Sequence, residues 1–220
     1  MKEYDLNMED LSTINTINRQ EKIKNFFINN KYKIIYGVII IILILIGVYS
    51  YDNHITNKQK EISNNFNSII IDYNEDNKES TANKLIEIVN KKNPTYSPLS
   101  LYFIIDNNLV TEQKMVNSLF DILIEKTSLD EEIKNLVLYK KALFNADKIE
   151  EVDLLNMLNP LINSKSVWKS HALYLMAEYF YSGGQKEKAK EFFNQIISLE
   201  DPNPDIRLQA EKRLNRDLSE

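Results

Sequence analysis

Few residues of this chain have the types and spacing that catalysis or metal binding requires. The sequence contains no Cys and only two His, His54 and His171, which excludes a thiolate zinc site, a cysteine nucleophile and a disulfide scaffold. His171 and Glu178 could share a helical face, but two ligands do not make a zinc site. The acidic runs 130–132 and 150–151 precede predicted helices, where carboxylates complement the helix dipole. We therefore predict no catalytic, cofactor or metal site and expect a protein that is not an enzyme.

The charge balance excludes a second class of function. The chain has 27 Lys and Arg against 32 Asp and Glu, a net charge of −5, whereas a nucleic-acid binder would present a basic face. The sequence also lacks a glycine-rich phosphate loop and the pattern of a serine nucleophile. We expect partners that are proteins and no nucleic acid.

The residues that could bind a partner follow one another at helical spacing near the end of the chain. His171, Tyr174, Glu178 and Tyr181 share one face of a predicted helix. Aromatic area with polar groups is typical of a protein-binding groove, which is our functional interpretation. The alternative is a solvated helix face whose tyrosines keep only their hydroxyls in water. In either case we expect Glu178→Ala to change stability little.

The elements that carry these residues are predicted to be helices. Gly is scarce, with four residues, and Pro contributes five, so the chain has few sharp turns. Beyond residue 60 the apolar residues recur at intervals of three and four, and no stretch alternates like a strand. The fold class is therefore predicted to be all-α, with helices at 54–74, 78–92, 96–108, 111–126, 130–146, 150–163, 166–182, 185–198 and 204–217.

The clearest internal unit is Ser170–Asn203, a predicted helix–turn–helix. Its length, its small and large apolar residues and its Gly183–Gly184 turn follow the tetratricopeptide pattern, in which small residues allow the two helices to approach closely. Counting back from Ala189, the small-residue position falls at Val152, Met115 and Ala82. We predict a tetratricopeptide-like α-solenoid of about four helical hairpins plus a capping helix. The residues predicted to pack its repeats are Ala82, Leu173, Ala177, Phe180, Gly184, Ala189 and Phe193.

The uncharged segment Ile34–Tyr51 has the composition of a membrane span. It includes Val38–Ile46, built only of Val, Ile and Leu, and tyrosines lie at both of its ends. At about 1.5 Å per residue it is roughly 27 Å long, close to the thickness of one hydrocarbon core. Its late start and the sequence after it do not resemble a cleavable signal peptide. We predict a transmembrane helix over 34–51.

Positive charges near this segment predict its orientation. Five basic residues lie within fifteen residues before it, and two, Lys58 and Lys60, lie within fifteen residues after it. By the positive-inside rule, residues 1–33 form a short cytoplasmic segment and residues 52–220 a periplasmic domain. The five preceding basic residues are Arg19, Lys22, Lys24, Lys31 and Lys33.

The residues just before the span allow two interpretations. Ile23, Phe26 and Phe27 follow a helical period beside Lys22 and Lys24. Such a helix could lie on an anionic leaflet, or it could simply extend the anchor.

Three segments resemble a known bacterial family. They are RQEKIKNFF (19–27), LVLYKKALFNADKIEEVDLLNMLNPL (136–161) and SVWKSHALYLMAEYFYSGGQKEKAKEFFNQII (166–197). The chain resembles the ancillary subunits of the Sec translocon, especially their alphaproteobacterial members. The resemblance implies a single-pass protein of the bacterial inner membrane, a scaffold whose periplasmic domain contacts translocon subunits and periplasmic chaperones, with no catalytic residues. The alternative is a periplasmic coordinator of cell-envelope or division machinery with the same repeat domain.

Overall fold

The computed structural model describes residue 19 and residues 21–218, and this part of the chain is helical without any strand. The predicted cytoplasmic segment is 1–33, and its residues 1–18 and 20 lie outside the described residues. Residues 21–29 are helical. The helices that follow are α1 (Lys31–Ile71), α2 (Lys78–Asn90), α3 (Tyr96–Asp106), α4 (Gln113–Lys126), α5 (Glu131–Asn145), α6 (Glu151–Ile162), α7 (Lys169–Ser182), α8 (Lys186–Ile197) and α9 (Pro204–Asp217). Short 3-10 turns occupy Glu75–Asn77 and Ala146–Lys148. The predicted all-α class is confirmed.

Helix α1 differs from its predicted bounds. The predicted break between the span and the next helix is absent, and one helix of 41 residues covers both. No Pro or Gly occurs between Val48 and Ile71 to interrupt it. The helix is long and apolar enough to cross a membrane, and none of its most apolar window is buried.

The chain divides into two compact units between Lys60 and Glu61, within α1. The second unit has two clusters of buried apolar side chains. One contains Ile62 and Ile69 of α1 with residues of α2 to α5, and the other contains residues of α5 to α9 with Leu218. Helix α5 contributes to both clusters, with Val137 in the first and Ala142 in the second.

In the second unit each helix from α2 to α9 packs against the next in the chain. Contacts also join α2 with α4, α5 with α7, and α7 with α9. The end of α1 packs against α3, where Tyr96 donates its hydroxyl to Ser63 Oγ at 2.6 Å and its ring lies 5.5 Å from that of Phe66. Helix α7 therefore contacts both α5 and α9.

An amide network around the buried Asn145 lies between α4 and α5. The side chains of Asn117 and Asn145 exchange hydrogen bonds at 2.8 and 2.9 Å. Gln113 Nε2 donates to Asn145 Oδ1 at 2.8 Å, and Asn145 Nδ2 donates to the Lys141 carbonyl at 2.7 Å. All three amides therefore have partners, as burial of polar groups requires.

The α7–α8 hairpin matches the prediction for its unit. Ala177 and Ala189 are completely buried. Gly184 adopts a φ of +73°, and the N–H groups of Gly184 and Gln185 donate to the carbonyls of Tyr181 and Phe180. This is a Schellman ending, which favours Gly at the left-handed position.

The predicted repeat spacing fails in the middle of the domain. Ala82 is 5% exposed, but Met115 and Val152 are 37% and 66% exposed. These two side chains are therefore not at close helix contacts. In α4 and α6 other residues, such as Leu119 and Leu158, are buried instead, because the connecting turns have different lengths and shift the buried face.

Candidate functional site

The four residues predicted to line a groove all lie on α7, and we refer to His171, Tyr174, Glu178 and Tyr181 as the α7 face. Each of these side chains is half-buried. The structure divides them into two groups. Tyr174, Glu178 and Tyr181 converge on an arginine of α9, whereas His171 packs toward α5.

Arg213 of α9 is the centre of the first group. Its Nε and Nη2 atoms donate to the two carboxylate oxygens of Glu178 at 2.8 and 2.7 Å, and Nη1 donates to Asp217 at 2.9 Å. Hydrogen bonds to Asp217 and Glu178 raise the pKa of Arg213. A bidentate arginine–carboxylate pair fixes both groups in one plane, so Glu178 is held against α9.

The two tyrosines of the α7 face lie against the same arginine. The guanidinium carbon of Arg213 is 4.8 Å from the centre of the Tyr181 ring, within cation–π distance. The Tyr174 ring meets Phe193 of α8 edge to face at 5.5 Å. Burial is the main cause that raises the pKa of Tyr174, and a hydrogen bond with Glu178 raises this pKa further.

The expectation that Glu178→Ala changes stability little is not consistent with this geometry. Removal of the carboxylate would leave the half-buried guanidinium of Arg213 with Asp217 and the Tyr181 ring as partners, and the loss of two hydrogen bonds to a charged group is costly at such a site. The predicted face is therefore partly covered by the capping helix.

His171 belongs to an aromatic cluster with Tyr139 of α5 and Trp168. Trp168 stacks on Tyr139 with centroids 5.8 Å apart, and His171 lies 4.9 Å from Trp168 and 5.7 Å from Tyr139. Burial lowers the pKa of His171, and the Val167 carbonyl partly offsets this effect. Trp168 thus packs at the junction between α5 and α7.

An open groove lies beside the α7 face, between the end of α5 and the second half of α7. Its volume is about 700 Å³, and its walls include Leu143, Leu175 and Glu178. Tyr179 crosses its floor and donates its hydroxyl to the Ile149 carbonyl at 3.1 Å. The groove is mostly polar, with Asp147, Lys148, Glu150 and Gln185 among its other lining residues.

A small cavity of about 130 Å³ adjoins this groove through Leu143, which lines both. It lies between α3 and α5. Lys140 Nζ is 4.5 Å from the centre of the Tyr102 ring, and burial raises the pKa of Tyr102. Leu143 is 49% exposed, so it presents an apolar side chain between the mostly polar groove and the mostly apolar cavity. We refer to this surface as the Leu143 groove.

The residues predicted to pack the repeats lie in the core or at a turn. Ala82, Leu173, Ala177, Phe180, Ala189 and Phe193 are buried, and Gly184 forms the turn. Among the described residues, no group of three or more His, Asp or Glu is placed to hold a metal ion. The arrangement offers hydrogen bonds, ring faces and apolar contacts, which suit recognition of another molecule.

Two functional side chains were missed by sequence reasoning. Neither Arg213 nor Tyr139 was singled out from the sequence. Both lie more than thirty residues from their partners on the α7 face, so no local pattern joins them.

Comparison with known proteins gives no assignment. No family model, no curated protein and no solved structure matches this chain.

Proposed function

We propose that this chain is a scaffold anchored in the bacterial inner membrane, whose helical domain binds other proteins as an ancillary subunit of the Sec translocon. The observation that carries the proposal is the apolar stretch of α1. It contains the uncharged segment Ile34–Tyr51 and is exposed along its length. A helix that is apolar on every face is stable only when other apolar material surrounds it. The lipid bilayer is that material in our proposal, with the amino terminus in the cytoplasm and residues 52–220 in the periplasm.

The helical domain is proposed to be a tetratricopeptide-like solenoid. The contacts between consecutive helices, and those of α7 with α5 and α9, support this arrangement, since stacked hairpins make contacts of these two kinds. The buried Ala177 and Ala189 and the Gly184 turn support it in the α7–α8 unit. Solenoids of this type use one continuous face for recognition, and the Leu143 groove lies beside the α7 face.

The partners in this proposal are translocon subunits and periplasmic chaperones, which the resemblance of segments 19–27, 136–161 and 166–197 suggests. A membrane tether keeps the domain near other envelope proteins at high effective concentration, so weak contacts suffice. The polar lining of the Leu143 groove is consistent with such transient binding.

Site-specific crosslinking tests the partner. Leu143 in the groove and Leu208 on α9 are both 49% exposed and form a matched pair for a photo-reactive amino acid. We expect adducts with translocon subunits or periplasmic chaperones from the Leu143 position and none from the Leu208 position. Adducts with cell-wall or division proteins would support the coordinator alternative, and identical adducts from both positions would exclude the groove as the binding surface.

Enzyme fusions test the topology. Alkaline phosphatase is active only on the periplasmic side, so a fusion after Glu220 should be active and a fusion after Glu21 inactive. The opposite pair of activities would reverse the orientation that the count of basic residues predicts.

A further inference from the structure

We propose that residues 21–29 form an interfacial helix that binds anionic phospholipid in the cytoplasmic leaflet. The inference rests on the proposed function, because it requires α1 to span the membrane. Ile23, Phe26 and Phe27 carry it. They are 52%, 59% and 55% exposed in the first compact unit.

The three apolar side chains share one face of this helix. At about 100° per residue, positions 23, 26 and 27 fall within a sector of roughly 100°. The rings of Phe26 and Phe27 meet edge to face with centroids 6.0 Å apart. Ile28 lies on the other side with Asn25. The face is therefore a compact apolar patch, of the size that inserts at the boundary between headgroups and acyl chains.

Positive charge borders this patch on both sides. Lys22 and Lys24 lie about 100° to either side of its centre, and all described side chains of this helix are exposed. From residue 19 to residue 33 the sequence has five basic residues and one acidic residue, Glu21. Lysines in this position can extend along the apolar surface and place their ammonium groups among headgroup phosphates. The surface that complements these positive charges is an anionic membrane.

The helix of residues 21–29 is separated from α1 by a break. Asn30 is a turn residue between two helical stretches. Its Nδ2 donates to the Phe26 carbonyl at 2.9 Å, and its own N–H donates to the same oxygen at 3.0 Å. A side chain that shares a ladder carbonyl is a recognised cause of helix bending. The neighbouring Lys31 lies 5.0 Å from the ring of the exposed Tyr32, a pair typical of the interface.

These features favour lipid binding over a simple extension of the anchor. An extension would have no reason to place three of its four apolar residues on one side or to interrupt the helix at Asn30. The apolar patch also lies close in sequence to the proposed span. When the patch binds lipid, it therefore extends the apolar surface by which the span already contacts the bilayer.

Spin labels in the full chain provide the test, because a chain without Cys accepts one label at a chosen site. Three single variants are needed, Phe27→Cys on the apolar face, Asn25→Cys on the opposite face and Ile42→Cys in the span. Each labelled protein is placed in nanodiscs of phosphatidylcholine, with or without added phosphatidylglycerol. Accessibility to oxygen and to a water-soluble nickel complex is then measured.

With phosphatidylglycerol present, we expect the label at position 27 to be in lipid and the label at position 25 to be in water. Without it, the label at position 27 should move toward water. Lys22→Gln and Lys24→Gln together should lower the ratio of docked to undocked label roughly 25-fold, about fivefold for each lysine. High salt should weaken docking in the same direction.

The inference would be overturned if the labels at positions 25 and 27 were equally accessible. It would also be overturned if the accessibility of the label at position 27 did not change when phosphatidylglycerol was added. The label at position 42 separates this failure from failure of the proposed function. If that label is in hydrocarbon while the label at position 27 stays in water, the span is supported and the interfacial helix is wrong. If the label at position 42 is in water, the membrane span itself is wrong.

Discussion

Arg213 connects three side chains of the α7 face to the capping helix. Its bidentate bond to Glu178 has both side chains 27% exposed, so water screens the pair only in part. The exposure of this pair is intermediate between that of surface ion pairs, which contribute little to stability, and that of buried pairs, whose disruption is costly. Arg213 therefore stabilises the fold on the face that sequence reasoning assigned to binding.

The first prediction concerns this pair. Glu178→Gln keeps the shape of the side chain and removes its charge, so we expect the free energy of unfolding to fall by about 1 kcal/mol. Glu211→Gln is the control, because Glu211 pairs with Arg207 across one helical turn and the side chains of Arg207 and Glu211 are 47% and 44% exposed. Chemical denaturation should show a loss below about 0.5 kcal/mol for the control. Equal losses in the two variants would show that the Arg213 pair adds nothing beyond a surface pair.

A second residue-scale prediction concerns close packing in the α7–α8 hairpin. Ala189 is completely buried, so the larger side chain of Ala189→Leu has no space and should cost roughly 1–3 kcal/mol. Asn194→Leu introduces the same side chain on the exposed side of α8 and should change the melting temperature little. If both variants melt like the wild type, helix α8 is not closely packed at position 189.

Sequence reasoning located individual residues well where the signal was local. Ala177, Ala189 and Gly184 were identified from spacing within one hairpin. Arg213 was not, since its pairing with Glu178 depends on how α9 folds back on α7, over 35 positions of sequence. The α7 face is recognisable in sequence, but what covers it is not.

At the scale of elements, helix ends determine how the chain turns between helices. Within the described part of the chain, Lys92, Asn108 and Gly184 have positive φ, and each follows the end of a helix. After α2, the Ser97 hydroxyl bridges two backbone groups that do not bond to each other directly. Its Oγ accepts from Asn93 N–H and donates to the Ile88 carbonyl, both at 2.8 Å. The connection between α2 and α3 thus depends on one buried hydroxyl.

The adjacent glycines after α7 give a matched pair for the third prediction. Gly184→Ala places a Cβ at a φ of +73° and should destabilise the protein by about 1–2 kcal/mol. Gly183 has a φ of −78°, and the Cβ of Gly183→Ala would meet its nearest neighbours at 3.5 and 3.7 Å, an ordinary contact. Thermal melts should show no loss for Gly183→Ala, and a gain of up to about 1 kcal/mol is expected from the stiffer unfolded chain. The reverse order of stabilities would show that the turn has another conformation.

Most helices were predictable from periodicity, and the errors have physical causes. The bounds of α2 to α9 agree with the predicted segments within about three residues. The break predicted at residues 52 and 53 is absent, because Asp and Asn are tolerated inside a helix that no Gly or Pro interrupts. The regular spacing that led to Met115 and Val152 assumes turns of equal length, which this chain does not have.

At the scale of the whole chain, the boundary between Lys60 and Glu61 makes the fourth prediction possible. A fragment of residues 61–220 should be helical by circular dichroism and unfold cooperatively. A fragment of residues 72–220 loses Ile62 and Ile69 from the core and the bond between Tyr96 and Ser63. Since burying one such side chain contributes about 1.5–3 kcal/mol, the shorter fragment should melt at a clearly lower temperature. Equal melting of the two fragments would mean that the end of α1 is not part of the domain.

The amide network between α4 and α5 has a consequence for how the domain opens. Apolar surfaces can slide and repack, but the paired amides of Asn117 and Asn145 accept only one register. The two apolar clusters share only α5, the helix on one side of this seam, so each half can lose its packing while the other stays intact. We expect amide hydrogens on the two sides to exchange as separate cooperative blocks. In the proposed scaffold, this arrangement would allow one block to loosen and release a bound partner while the other block stays folded.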